Sequence, residues 1–183
     1  MRITKAILLT IALLFMVGIA ARAGAQTRSE TPSQCVPFGG TIYGWHNGNS
    51  WFGVGDFTFG KKILHASVED PNTGFDDKGD IWLGTEEATL TFASGEKITL
   101  MTNFVTEHQT DAAGTQGVYH VNETGSFARG TGRFQRAWGR FNLQGPFGSG
   151  IILPSNITPG TNDGWFWIGQ YNGTVCGLKG DFQ

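Results

Sequence analysis

The sequence predicts an all-β fold, an antiparallel up-and-down barrel of about eight strands. Three observations carry this. The chain of 183 residues holds 28 glycines and 13% aromatic residues, a composition suited to strands and tight turns and poor in helix-forming runs. Apolar–polar alternation recurs in short segments at regular spacing, divided by glycine-containing turns. The stretch from Gly125 to Gly145 reads as two long strands around a turn at Gly130 and Gly132, with Gly139 inside the second strand. Glycine takes the positive φ that a tight turn needs. Inside a strand it marks a bulge, a bend or a close approach of backbones, and strong coiling of that kind closes a sheet into a barrel.

Taken in order, a first strand is predicted at 41–45. Segments 51–59 and 62–69 form a hairpin about Gly60-Lys61. Residues 70–79 are a polar, acidic loop, followed by a short strand at 80–83. Segments 86–93 and 97–108 flank the turn Ser94-Gly95-Glu96. In the second of these, Ile98, Leu100 and Phe104 share one face. After a loop at 109–115, strands follow at 117–127 and 133–143. Pro154 and Pro159 make 146–162 a long crossing or covering loop. Segments 164–171 and 174–178 around Asn172-Gly173 read as a closing hairpin. Hairpins in succession favour an up-and-down barrel over a sandwich.

The first 25 residues read as a secretory signal peptide. Arg2 and Lys5 precede an apolar run at 6–21, and Ala23-Gly24-Ala25 is a small-x-small cleavage site. The expected organisation is a signal at 1–25, a flexible lead-in at 26–34 and one barrel domain at 35–183, secreted or periplasmic, with no stable membrane insertion after cleavage. Cleavage removes three of the 13 basic residues and leaves 15 acids, so the mature chain carries a charge of about −5. That balance argues against a nucleic-acid partner. Cys35 and Cys176 stand near the two ends of the domain, and in an exported chain they read as one disulfide. It joins segments that lie side by side in a closed barrel and contributes about 2–4 kcal/mol.

The run Gly117-Val-Tyr-His-Val-Asn-Glu-Thr-Gly125, followed by Gly130-Thr-Gly-Arg-Phe-Gln-Arg-Ala-Trp-Gly139, resembles exported bacterial members of the allene oxide cyclase–dirigent barrel superfamily. The resemblance covers roughly residues 117–145 and is topological over 40–116. It implies an eight-stranded, calycin-like barrel, often a homo-oligomer, with an apolar cavity. Plant members cyclise allene oxides or steer radical coupling. The catalytic residues of the plant cyclase have no place on this chain, so that activity is not carried over and no catalytic residue is assigned.

His46, His65, His108 and His120 are scattered, and a metal site needs three or four convergent ligands. The acidic loop fails the calcium pattern, because Lys78 interrupts the acids and Ile81 holds the twelfth position. No metal and no cofactor are therefore expected. Trp45, Trp51, Trp82, Trp138, Trp165 and Trp167 serve either as barrel core or as the wall of a cavity. Glu86, Tyr119 and His120 are polar groups on strands that can orient a ligand. The candidate ligand-binding set is Trp45, Trp51, Trp82, Glu86, Tyr119, His120 and Trp138. Arg129, Arg133, Arg136 and Arg140 read as a solvated outer face with cation–π contacts. The expected function is an exported barrel that binds a small apolar ligand or a protein partner without chemistry. The alternatives are an isomerase or cyclase acting in the cavity, and a structural or assembly protein of the cell envelope. A barrel filled with side chains leaves only the last.

Overall fold

The computed structural model describes residues 34–48, 50–71, 75–77, 81–109 and 118–182. The expected signal, and the lead-in as far as residue 33, lie outside them. Nine strands are present: β1 (Val36–His46), β2 (Ser50–Phe59), β3 (Lys62–Pro71), β4 (Phe75–Asp77), β5 (Ile81–Phe92), β6 (Lys97–Gln109), β7 (Val118–Gly130), β8 (Trp138–Gly148) and β9 (Phe166–Cys176). The order β3-β2-β1-β9-β8-β7-β6-β5 closes on itself through β3–β5, and this last pair is antiparallel, as are the others. The result is the all-β, closed eight-stranded barrel that the sequence predicts. Short β4 pairs with Trp82, Leu83 and Gly84 of β5, beyond the stretch where β3 pairs with residues 89–92.

Alternation places the interior. Phe57 and Phe59 of β2, Ala66 and Val68 of β3, Leu90 and Phe92 of β5, and Ile98 and Leu100 of β6 are all buried, with more exposed residues between most of them. One end of the barrel is solid. Phe38 is the hub, with ring centres of Phe127, Phe59, Tyr171, Phe141 and Phe57 at 5.0, 5.2, 5.7, 5.9 and 6.2 Å. Phe134, from a single 3-10 turn at Gly132–Phe134, and Phe182 near the C-terminus both pack on Phe59 and plug this end. Each such side chain contributes about 1.5–3 kcal/mol by burial. Cys35 and Cys176 are bonded there, just beyond the paired Val36 and Val175, so the bridge ties the first strand to the last as expected.

Several boundaries differ from the sequence reading. β1 begins at Val36 rather than Thr41, and the two short segments at 80–83 and 86–93 are one strand, β5. The acidic loop carries β4. Residues 133–137 are not strand: the 3-10 turn occupies them in part and β8 starts at Trp138. Gly132 is in the left-handed region (φ +56) as a turn requires, and a Cβ there runs into the Glu96 carboxylate. That carboxylate is engaged: Arg133 N donates to Glu96 Oε1 at 2.7 Å, and the Arg133 guanidinium pairs with it. Asn172-Gly173 is not a turn but the middle of β9. Its neighbours on both sides, Phe38-Gly39 and Phe141-Asn142, hold it extended, and tertiary pairing overrides the local turn preference. Gly173 serves close approach instead, because a Cβ there meets the Arg140 carbonyl.

The arginines face outward as expected. Arg129 pairs with Glu87, and the Arg133 guanidinium lies 5.7 Å from the Phe134 ring centre. Among the described residues no helix is long and apolar enough to cross a membrane.

Candidate functional site

The other half of the barrel is hollow. A cavity of about 280 Å³ opens where β1, β3 and β6 end and β2, β5 and β9 begin. It lies at the lower edge of the ~300–1,000 Å³ common for small-molecule sites. Strand parity selects its lining. Trp51 of β2, Trp82 of β5, Phe104 of β6, Val121 of β7, Phe147 of β8 and Trp167 of β9 all face it. Trp51 meets Phe147 edge-on at 5.8 Å and Trp167 edge-on at 6.4 Å. Gly44 makes room for Trp167, since a Cβ at Gly44 overlaps the indole. The buried indole Nε1 of Trp167 has no hydrogen-bond partner.

The mouth is pinned by the 149–165 connection between β8 and β9. His46 N donates to the Trp165 carbonyl, and Asp163 N to the His46 carbonyl, each at 3.0 Å. The His46 ring lies 2.7 Å, Nδ1 to Oδ2, from Asp163 and 4.7 Å, centre to centre, from the Trp51 ring. Burial raises the Asp163 carboxyl, but the hydrogen bond and charge of His46 outweigh it and leave the pKa below its ordinary value.

The floor is acidic. Asp70 at the end of β3, Glu86 in β5 and Glu123 in β7 all point inward and line the cavity. Asp70 and Glu123 are only 5% and 6% exposed. In the sheet, Glu86 sits opposite Thr102 and Glu123 opposite Phe104, so the two glutamates flank one strand. Burial pushes Glu86 up to about 11, and the charges of Glu123 and Asp70 and a hydrogen bond to Asp70 act the same way. Burial raises Asp70 to about 6, against the lowering effect of that hydrogen bond. Protonated Glu86 is therefore the donor and the Asp70 carboxylate the acceptor. Glu123 is pushed up to about 8, first by burial and then by Asp70, with Thr102 acting in opposition. The Thr102 hydroxyl faces Glu123 without reaching hydrogen-bonding geometry, and Asp70 Oδ1 is buried with no partner. Tyr171 reaches toward the acids from the filled half, and burial and their charges raise its pKa well above the ordinary value. Among the described residues neither lysine nor arginine lines the cavity. Among the described residues no group of three or more His, Cys, Asp or Glu is placed to hold a metal ion.

Of the residues singled out in the sequence, Trp51, Trp82 and Glu86 line the cavity. Tyr119 stands behind its wall at the open end, its ring 4.6 Å from Trp82 and 5.0 Å from Phe147. Three residues depart from the expectation. Trp45 lies on the outer face, out of phase with inward Ile42 and Gly44, and against Gly160 of the long connection. His120 alternates with inward Tyr119 and Val121 and turns out toward Asn122. Trp138 is 54% exposed at the filled end. Parity sends each of them outward. Asp70 and Glu123 were missed, because they stand in a presumed loop and a strand otherwise read for its tyrosine. The available signal was phase: Ala66, Val68, Asp70 and Val121, Glu123, Gly125 are single rows of an inward face interrupted by one charge.

No family model, curated protein or solved structure matches this chain. The resemblance to the allene oxide cyclase–dirigent superfamily rests on the residues of 117–145 alone.

Proposed function

We propose that this chain is an exported binding protein that takes one small, largely apolar molecule into the open half of its barrel. The observation that carries the reading is the division of the interior: phenylalanines fill one half, and the other holds an aromatic-walled cavity with three carboxyl groups gathered at its floor. Such a cavity buries flat apolar surface on its walls and fixes one polar end of the ligand below. Export is supported by the leader-like first 25 residues and by the disulfide. Benzyl alcohol and 4-phenyl-1-butanol, which pair a ring with a hydroxyl, are suitable probes. With tryptophan emission excited selectively, each should give a saturable shift at one molecule per barrel, weakened by Trp51→Ala. Adenosine monophosphate should give none. Absence of a saturable response to both alcohols overturns the reading.

One observation favours a second reading, an isomerase or cyclase in the same cavity. Asp70 and Glu123, raised to about 6 and about 8, bracket neutral pH, which suits a proton acceptor and a proton donor. This reading requires turnover of a reactive apolar substrate, and loss of that turnover in Glu123→Gln.

A further inference from the structure

We propose that the cavity takes a small organic cation, an ammonium carrying apolar substituents, with its charge over Asp70, Glu86 and Glu123 and its substituents against the tryptophan faces. The inference rests on the reading of the cavity as a ligand site and names the ligand's chemistry.

Three features converge on it. First, the cluster is acidic and uncompensated: Asp70 (β3) is ionised at neutral pH while burial and its charge keep Glu86 (β5) and Glu123 (β7) protonated beside it, and β6 adds Thr102, Phe104 and Thr106, none of them charged. Tyr171 of β9 adds a neutral hydroxyl. β2 and β8 bring Trp51 and Phe147, which carry no charge. Among the described residues the one basic side chain in the lining is His46 of β1, and Asp163 already engages it at the mouth. A buried carboxylate without a cationic partner is costly, and a ligand that brings the cation removes that cost. Second, Asp70 lines the cavity and is only 5% exposed, yet its Oδ1 is buried with no hydrogen-bond partner. Native proteins satisfy nearly all such atoms, so an unsatisfied acceptor on a residue of the lining marks a place for a positive or hydrogen-bonding ligand group. Third, the walls are aromatic, with Trp51, Trp82, Phe147, Trp165 and Trp167 in the lining. Indole attracts cations best among side chains, and the effect grows when water is excluded.

The acids also predict a proton signature. Glu123 holds its proton near neutral pH because burial and Asp70 disfavour a second charge. A bound cation reverses that balance, so binding should release a proton. A quaternary ammonium is the cleanest probe, because its own charge does not change with pH.

The test is titration calorimetry on the whole mature chain with benzyltrimethylammonium and with neopentylbenzene, its neutral carbon isostere. At pH 8 the cation should bind at least about tenfold more tightly than the isostere, a preference that cation–π and carboxylate contacts can supply. Its affinity should fall several-fold at pH 5.5, where the acids are protonated. In buffers of different ionisation enthalpy, binding at pH 7 should show proton release. Glu123→Gln should abolish that release and shrink the cation's preference over the isostere. Asp70→Asn is a second variant with the same expectation. An isostere that binds as tightly as the cation at both pH values, or a cation affinity independent of pH, overturns the inference and leaves the apolar-ligand reading standing. Failure of both compounds, together with both phenyl alcohols, overturns the two together.

Discussion

Raising the pH from 5 to 7 should destabilise the folded barrel, and Glu123→Gln should remove part of that loss. The ordinary glutamate value is 4.5, and burial with the neighbouring Asp70 charge pushes Glu123 up to about 8. Between those two values the folded chain keeps a proton that the unfolded chain has released. Rising pH therefore favours unfolding: the contribution is fully present below 4.5 and is lost as pH climbs through the folded value. One retained proton gives a slope of about 1.4 kcal/mol per pH unit, so two units lose about 3 kcal/mol. Asp70, raised to about 6, works in the same direction in the lower part of the window, and Glu86, raised to about 11, works throughout. One proton is thus the minimum, against a total stability of about 5–15 kcal/mol for a typical domain. Guanidinium unfolding at pH 5, 6 and 7, with the disulfide intact, measures it. At pH 5 the glutamine variant should lie within about 1 kcal/mol of the parent, since it replaces a neutral acid of equal shape. By pH 7 it should lead by about 3 kcal/mol. A parent midpoint that holds level or rises across this range, or a variant that runs parallel to the parent, refutes the reasoning.

Two further perturbations test the division of the interior and the turn that plugs it. Phe38→Ala should cost about 3–5 kcal/mol, because five aromatic rings surround Phe38 and none can collapse into the space alone. Trp51→Phe, on the hollow side, should cost under about 1.5 kcal/mol, and equal losses by denaturant midpoint would contradict the filled-and-hollow description. Gly132→Val should cost about 1–3 kcal/mol from positive φ and the Glu96 contact. An unchanged thermal midpoint would show that the turn tolerates a side chain.

Much of the barrel was legible because its signals are local. Alternation at 51–59, 62–69 and 97–108 marks strands whatever their partners, and β2, β3 and β6 appear within one or two residues of the expected positions. The disulfide was legible for a simple reason, since two cysteines leave one pairing. The errors fall where pairing on both sides decides the conformation. Asn172-Gly173 carries a strong hairpin signal, yet β1 and β8 grip it as strand. Gly173 reads in the sequence as freedom to turn, but in β9 it allows the neighbouring backbone to come close, as Gly169 does for Trp167. Residues 133–137 fail in the opposite sense, because an aromatic-rich segment that looks like strand is needed as the plug that seats Phe134.

The site was less legible, and the cause is phase. A tryptophan count shows that aromatic surface exists and says nothing of which wall it covers; one residue of register sends a side chain to the other face. Trp45 and Trp138 are as conspicuous in the sequence as Trp51 and Trp82, and they stand outside. Only long-range pairing fixes phase. Once β5, β6 and β7 are aligned, Glu86 and Glu123 fall on the same side of one intervening strand, and the closure of β3 onto β5 carries Asp70 to them. The acids stand at positions 70, 86 and 123 of the chain, so no motif window contains them. What a single sequence does offer is a charge in an otherwise apolar phase. Folding must bury such a charge at a cost, and proteins retain that cost where the charge has work to do. Applied strand by strand, that criterion selects Asp70, Glu86 and Glu123 and passes over His120, Trp45 and Trp138, which is the division that the barrel makes.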